Sequence, residues 1–117
     1  MTANPLRGEV WLIDFSPRTG DEIDKLRRAV VVNDDAVGKL RLRVVVPLTG
    51  WQEKFRLSPW MVPLPPSKAS GITKPVAADA FQVKSLSLKR FRRRLGALGV
   101  ADMEEVSAGL AICLGIE

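Results

Sequence analysis

A charged stretch between two apolar runs holds the first residues that could do chemistry. It separates residues 9–15 from residues 29–32, and it contains Asp21, Glu22, Asp24, Lys25, Arg27 and Arg28. A carboxylate can accept a proton, and the planar fork of an arginine can donate two hydrogen bonds to adjacent phosphate oxygens. Loops mounted on a rigid sheet often carry such groups. The same composition is also typical of a solvated hairpin loop, so two interpretations stay open.

Alternating and β-branched runs predict the sheet that would hold these residues. Residues 9–15 alternate in a way that indicates a strand, and Pro17 and Gly20 then predict a loop over residues 16–26. Further strands are predicted over residues 27–33, 40–48 and 60–64, with one strand or two short ones over residues 76–84. Pro63, Pro65 and Pro66 limit the fourth strand to a sheet edge or to a short length.

The last third of the chain predicts helical structure. Residues 87–91 predict a helical turn that Ser87 caps. A longer amphipathic helix is indicated by apolar residues at three- and four-residue intervals, with Gly115 after the last one: Val100, Met103, Val106, Leu110 and Leu114. Several short strands followed by one helix indicate a mainly β, α+β fold, in which a small curled sheet or barrel carries the helix. The predicted core includes Trp11, Val31, Val45 and Leu110.

Composition narrows the class of protein. A chain of 117 residues, 46% of them apolar, predicts one globular domain over residues 1–117. The single Cys113 excludes an internal disulfide, and the absence of histidine removes the usual zinc ligand sets. No membrane-spanning run or secretory signal is visible, so we expect a cytoplasmic protein. The net charge of +5 and the pI near 9.9 favour an anionic partner, such as a nucleic acid.

Six short motifs, in order, resemble the MazF/PemK family of toxin endoribonucleases. They are residues 7–17 (the opening strand), Gly20-Asp21-Glu22, residues 27–32 (Arg-Pro-Ala and three aliphatics in the family), residues 45–49 (ending in Pro-Leu-Thr), residues 82–85 and residues 94–96. Any one motif is weak, but the ordered set covers nearly the whole chain. Three departures occur: Arg28 replaces the family's proline, Ile23 replaces a glutamine, and Phe81 stands before Gln82 where the family has an acid, the nearest acid being Asp79.

The resemblance implies an SH3-like barrel with a C-terminal helix, and a homodimer whose interface forms the RNA groove. It implies sequence-specific cleavage of single-stranded RNA or mRNA by attack of the 2′-OH, without a metal or other cofactor. It also implies a small acidic MazE-like antitoxin, DNA binding together with that antitoxin, and no membrane. The RNA motif and the identity of the antitoxin do not follow from it.

The resemblance also implies site residues. Arg27 would stabilise charge on the phosphate, Thr49 would donate its hydroxyl there, and Glu22 would orient Arg27 or accept the 2′-OH proton, with Asp79 as the weaker alternative base. Because side chains alternate along a strand, only one of Arg27 and Arg28 should point into the groove. The remaining RNA-binding candidates are Lys25, Arg28, Trp51, Lys54, Arg56, Asp79, Gln82 and Lys84.

Each candidate has a plainer alternative. Glu22 could form a loop salt bridge, and Trp51 could be a core residue rather than a base-stacking surface. Residues 90–94 could follow the RNA backbone or form a solvated basic turn, and Cys113 is expected to be a packing residue. Two rival functions are a CcdB-like topoisomerase poison and a barrel that only binds RNA. The first is disfavoured because residues 114–117 lack the terminal Trp-Gly-Ile of that toxin.

Overall fold

A computed structural model describes residues 3–16, 26–37 and 40–116. Within these residues, none of the helices is both long and apolar enough to cross a membrane. The regular elements are β1 (Glu9–Asp14), β2 (Leu26–Val31), β3 (Leu42–Gly50), β4 (Met61–Leu64), β5 (Val76–Asp79), β6 (Lys84–Ser87), β7 (Phe91–Ala97) and α1 (Val100–Leu114), with short 3-10 turns at Asp35–Val37, Glu53–Leu57, Ala80–Gln82 and Leu88–Arg90.

The strands of the described residues form one antiparallel sheet in the order β4-β5-β3-β2-β1-β7, with β6 paired to the first half of β3. The nine residues of β3 join the two halves of the sheet, because β3 pairs with β2, β5 and β6 in turn. β4 and β7 are the edge strands at the two ends of this order, and β6 pairs with β3 alone among the described strands. The predicted α+β fold, a curled barrel-like sheet with a C-terminal helix, is confirmed, although the described strands do not close the sheet.

Two apolar cores lie on opposite faces of the central strands. The helix-side core contains Val30 and Val46 together with Met103 and Val106 of α1. The second core is centred on Trp11 and contains Ile13, Phe15, Ala29, Val31, Val45 and Phe91. Successive residues of β2 therefore enter different cores, which explains why its second half is apolar at every position. The predicted core residues Trp11, Val31 and Val45 are buried, and Leu110 packs half-buried against the helix-side core.

Most predicted elements are confirmed, with two differences. Residues 76–84 contain β5 and a 3-10 turn, and β6 begins at Lys84, whereas residues 91–97 form a seven-residue strand that the sequence did not predict. The Ser87 hydroxyl accepts a hydrogen bond from the Lys89 N–H, so the predicted cap is present. Gly115 ends α1 with a left-handed φ of 67°, as its position predicted.

Candidate functional site

A groove of about 550 Å³ lies where β2 begins and β3 ends. We call it the catalytic groove, because two of the residues predicted to act in catalysis, Arg27 and Thr49, line it. Its described lining offers three guanidinium groups and two threonine hydroxyls and includes no carboxylate: Leu12, Leu26, Arg27, Arg28, Leu48, Thr49, Gly50, Gly71, Thr73, Arg93 and Leu95. Positive charge and hydroxyl donors, with no competing acid among the described lining residues, suit a bound anion.

Three of the predicted site residues, Arg27, Arg28 and Thr49, line this groove, and the pairing of the strands shows which face of the sheet each one occupies. Arg27 is paired with Ile13, and Arg28 is paired with Leu12. Extending the β2–β3 register beyond the Ala29–Pro47 pair puts Arg27 opposite Thr49. Side chains at directly opposed positions share a face of the sheet, so Arg27 and Thr49 lie together on the second-core face.

Arg28 faces the other side of β2, as alternation predicted, yet it also borders the catalytic groove. The expectation that only one of the two arginines reaches the groove is therefore wrong. The groove lies at the end of the sheet, where both faces of the first residues of β2 are accessible, and both arginines are half-buried.

Gly71, Thr73 and Arg93 also line the groove. The sequence did not predict Gly71 or Thr73 as site residues, and it named Arg93 only as part of the basic residues 90–94. Gly71 adopts a left-handed φ of 75°, and a Cβ there would lie 2.4 Å from the Leu95 carbonyl oxygen. Glycine thus allows its loop to approach β7 closely and brings Thr73 to the groove. Gly71 was visible in the sequence as a loop glycine. Nothing in the sequence, however, placed its loop beside β7.

Trp51, Lys54 and Arg56 form a separate cluster in and beside the turn Glu53–Leu57. The Trp51 indole N–H donates to Glu53 at 3.0 Å, and Arg56 forms an ion pair with the same carboxylate at 2.8 Å. The rings of Trp51 and Phe55 meet edge to face at 5.8 Å, with the Lys54 ammonium 5.9 Å from the Phe55 ring centre. The residues predicted as a stacking surface therefore contact each other. Their cluster begins at Trp51, the residue after the groove-lining Gly50.

Asp79 and Gln82 lie at the turn after β5, outside the residues that line the catalytic groove. One Asp79 carboxylate oxygen accepts the Phe81 N–H at 3.2 Å, and the other accepts the Gln82 amide at 3.0 Å. Asp79 therefore caps a 3-10 turn.

Partial burial, with the nearby negative charge of Asp79 as a smaller contribution, raises the pKa of the Cys113 thiol, which favours its neutral form.

Lys84 pairs with Val45 in β6 and holds its ammonium 5.6 Å from the centre of the Phe15 ring. Val45 and Thr49 have the same parity along β3, so Lys84 shares the sheet face of Arg27 and Thr49. The structure thus brings Arg27, Arg28 and Thr49 together, and it places Lys84 farther along the sheet face that Arg27 and Thr49 share.

Glu22 and Lys25 lie outside the described residues. Among the described residues, no three His, Cys, Asp or Glu side chains gather as metal ligands.

The basic residues 90–94 do not share one environment, because some of them are bound within the protein. Arg90 donates to the carbonyl oxygens of Asp14 and Ser16, and Arg92 pairs with the Asp14 carboxylate at 3.1 Å. The Ser16 hydroxyl and N–H, with smaller contributions from Arg92 and Arg90, lower the pKa of Asp14. Arginines 90 and 92 therefore help to hold the end of β1.

Glu9 accepts hydrogen bonds at the start of β1 and pairs with Arg94 at 2.7 Å. Burial alone would raise the pKa of Glu9. Hydrogen bonds from the Leu6 N–H, the Trp11 indole and Arg94 outweigh that effect and lower it. The carboxylate is therefore stabilised in its charged form and joins β1 to β7.

Comparison with known proteins defines the class to which this fold and groove belong. Residues 6–114 match the family described as the PemK-like, MazF-like toxin of type II toxin–antitoxin systems. The chain belongs to this family, and the resemblance drawn from the sequence motifs is confirmed.

Among individual relatives, the chain is 29% identical to endoribonuclease MazF9 of Mycobacterium tuberculosis over an alignment of length 116, and the match covers 94% of this chain and 96% of that protein. The structure is similar to MazF from Deinococcus radiodurans, with a TM-score of 0.80, 25% identity and coverage of 97% and 99% of the two chains. It is also similar to a mycobacterial endoribonuclease solved in complex with its cognate antitoxin, with a TM-score of 0.76, 25% identity and 97% coverage of each chain.

Proposed function

We propose that this chain is a single-domain toxin, residues 1–117, that cleaves single-stranded RNA at a short sequence motif without a metal ion. The observation that carries the proposal is the catalytic groove, whose described lining combines Arg27, Arg28, Arg93 and two threonine hydroxyls with no carboxylate. Such a lining favours a phosphate group. The similarity to endoribonuclease MazF9 supports RNA as the molecule that carries that phosphate.

The cleavage step follows from the groups at hand. The 2′-oxygen of the RNA bonds to the neighbouring phosphorus, and the bond from phosphorus to the 5′-oxygen breaks. Extra negative charge develops on the phosphate oxygens between these events, where the Arg27 fork and the Thr49 hydroxyl donate hydrogen bonds. The departing 5′-oxygen takes a proton from water, because a guanidinium with a pKa above about 12 is a poor donor. The products are a 2′,3′-cyclic phosphate and a 5′-hydroxyl.

Glu22 is our candidate for the base that accepts the 2′-OH proton. Asp79, the other candidate, is hydrogen-bonded within its own turn and is not among the residues that line the groove. Glu22 is four residues before the groove-lining Leu26, a span of at most about 14 Å for an extended chain. A connection of this length allows the Glu22 carboxylate to act in the groove.

The proposed partners are a second copy of the chain and a small acidic antitoxin, with the complex acting in the cytoplasm. The similarity to an endoribonuclease solved with its cognate antitoxin supports the antitoxin. An acidic segment would compete with RNA for the same arginines, because both present anions to the groove.

The test is cleavage of a mixed-sequence RNA pool by the purified chain in EDTA, with both new ends sequenced. We expect cuts at one short motif, with 2′,3′-cyclic phosphate and 5′-hydroxyl ends. Arg27→Ala and Thr49→Ala should each lose most cleavage while remaining folded. Lys68→Ala, which removes an exposed cation outside the groove, should keep the wild-type rate. RNA bound but never cut would indicate a binding protein, and cleavage that requires Mg²⁺ would refute this mechanism.

A further inference from the structure

A second groove, of about 600 Å³, lies along β7 and carries the densest positive charge of the described chain. We call it the arginine groove. Trp11, Leu88 and Phe91 contribute to its apolar floor, and five cations line it with no carboxylate among the described lining residues: Arg41, Lys89, Arg92, Arg93 and Arg94. A concave surface with one sign of charge concentrates ligands of the opposite sign.

The five cations are not equivalent. Arg92 and Arg94 are ion-paired with Asp14 and Glu9, so their charge is largely compensated. Arg41, Lys89 and Arg93 are exposed and have no ion pair among the described residues. Within the described part of the chain, three cations therefore remain for a ligand.

Two register shifts between β1 and β7 lie on either side of Arg93 and Arg94. They occur between Val10 and Trp11 and between Leu12 and Ile13, and each leaves an extra residue in β7. A bulge interrupts the alternation of side chains and bends an edge strand. The extra residues are Leu95 and Arg92, whereas Arg93 and Arg94 pair with the successive residues Leu12 and Trp11 and therefore leave opposite faces of the strand. All three arginines at positions 92–94 are exposed.

Arg93 lines both the arginine groove and the catalytic groove. Because β7 is an edge strand, no further described strand stands between the two surfaces at this point. A linear polyanion can therefore cross β7 at Arg93 and contact both grooves.

We propose that the arginine groove binds the phosphates of the RNA that flanks the cleaved bond, with Arg93 joining this distal site to the catalytic groove. This inference rests on the proposed endoribonuclease function. RNA fits better than an acidic protein segment because the floor residues Trp11 and Phe91 are only 9% and 7% exposed. The two rings therefore offer little apolar surface to peptide side chains, whereas phosphates need only the cations that line the groove.

The experiment measures binding and cleavage separately. Binding uses 2′-O-methyl RNA of mixed sequence, which lacks the attacking hydroxyl, in a short form of about 5 and a long form of about 20 nucleotides. The test variant is Arg41→Gln/Lys89→Gln, which leaves the catalytic groove intact. The control is Lys68→Glu, which changes the net charge by the same amount at a site outside both grooves.

For the long RNA, we expect the test variant to bind more weakly and the slope of log affinity against log salt to become shallower by about 1.4, which is about 0.7 for each of two lost phosphate contacts. Affinity for the short RNA should stay unchanged, and the Lys68→Glu control should keep the wild-type slope. Arg93→Gln should weaken binding of both lengths.

An unchanged slope in the test variant, or equal effects of the test and control substitutions, would overturn the proposal. Weaker binding of polyglutamate with unchanged RNA affinity would instead assign the groove to an acidic protein. Cleavage of natural RNA by the wild type is scored independently. A failure of the distal site is therefore distinguishable from a failure of the catalytic proposal.

Discussion

Replacing Arg27 by lysine keeps the charge in the catalytic groove but removes the planar fork. The register puts Arg27 on the same sheet face as Thr49, so a phosphate at this point can accept two hydrogen bonds from one guanidinium and a third from the hydroxyl. Lysine is a point cation and cannot reproduce the two-bond geometry. Loss of one charge-assisted hydrogen bond costs about 1.5–3 kcal/mol. We therefore expect Arg27→Lys to slow cleavage about 10- to 150-fold.

Arg28→Lys is the matched control, because it makes the same chemical change at the neighbouring position. Arg28 shares its sheet face with Leu12, on the side opposite the Thr49 hydroxyl. It therefore contributes charge to the groove but does not bind the same phosphate oxygens together with Thr49. We expect a decrease of less than about threefold.

The assay is single-turnover cleavage of one oligonucleotide, with thermal unfolding to verify that both variants are folded. A near wild-type rate for Arg27→Lys beside a severely impaired Arg28→Lys would refute the assignment and show that Arg28 supplies the fork.

Three further predictions concern stability. Arg43→Met should destabilise the fold by about 3 kcal/mol in urea unfolding, because the buried guanidinium donates to three backbone carbonyls and one amide oxygen; an unchanged midpoint would show that these acceptors find water. Gly96→Ala should cost about 3 kcal/mol, since its Cβ would lie 2.3 Å from a backbone carbonyl oxygen, whereas Gly50→Ala, which has open space, should change stability by less than about 0.5 kcal/mol. Folding lowers the pKa of Glu9 below its ordinary value of 4.5, so the charged carboxylate stabilises the folded state at pH values above 4.5. This stabilisation is lost as the pH falls through the lowered pKa. Glu9→Gln should therefore be less stable than the wild type at pH 7 and lose less stability on acidification, and parallel pH profiles would contradict this.

The sequence predicted the framework better than it predicted the surfaces. Alternation found β1, β2 and β3, and the ordered motifs found Arg27 and Thr49, because hydrophobic periodicity and local motifs are properties of neighbouring residues. The strand β7 was missed because Arg92, Arg93 and Arg94 have no apolar alternation. All three are exposed, and the pairing of β7 with β1 that makes this segment a strand is a long-range contact.

Arg43 is a second case where a local pattern was insufficient. In an alternating run of leucines and arginines, the expected arrangement is leucine inside and arginine outside. The structure has the reverse at the start of β3, where Leu42 is 45% exposed and Arg43 is 4% exposed. The cause is the amino-terminal segment, since the Pro5 carbonyl and the Asn4 side chain accept hydrogen bonds from the Arg43 guanidinium. Those acceptors are about forty residues distant in sequence, so no window around β3 reveals them.

The core of the sheet also explains how the chain tolerates an arginine where its family has a proline. Ala29 pairs with Trp11 and is fully buried in the second core, while Val30 is fully buried in the helix-side core. A slip of β2 by one residue would put an arginine in the place of Ala29, against the Trp11 ring, and an unpaired buried cation is far too costly for that register to compete. Small and β-branched residues after Arg28 thus fix which arginine stands opposite Thr49. The burial of Ala29 and Val30 in the two cores therefore determines that Arg27, and not Arg28, lies beside Thr49 in the groove.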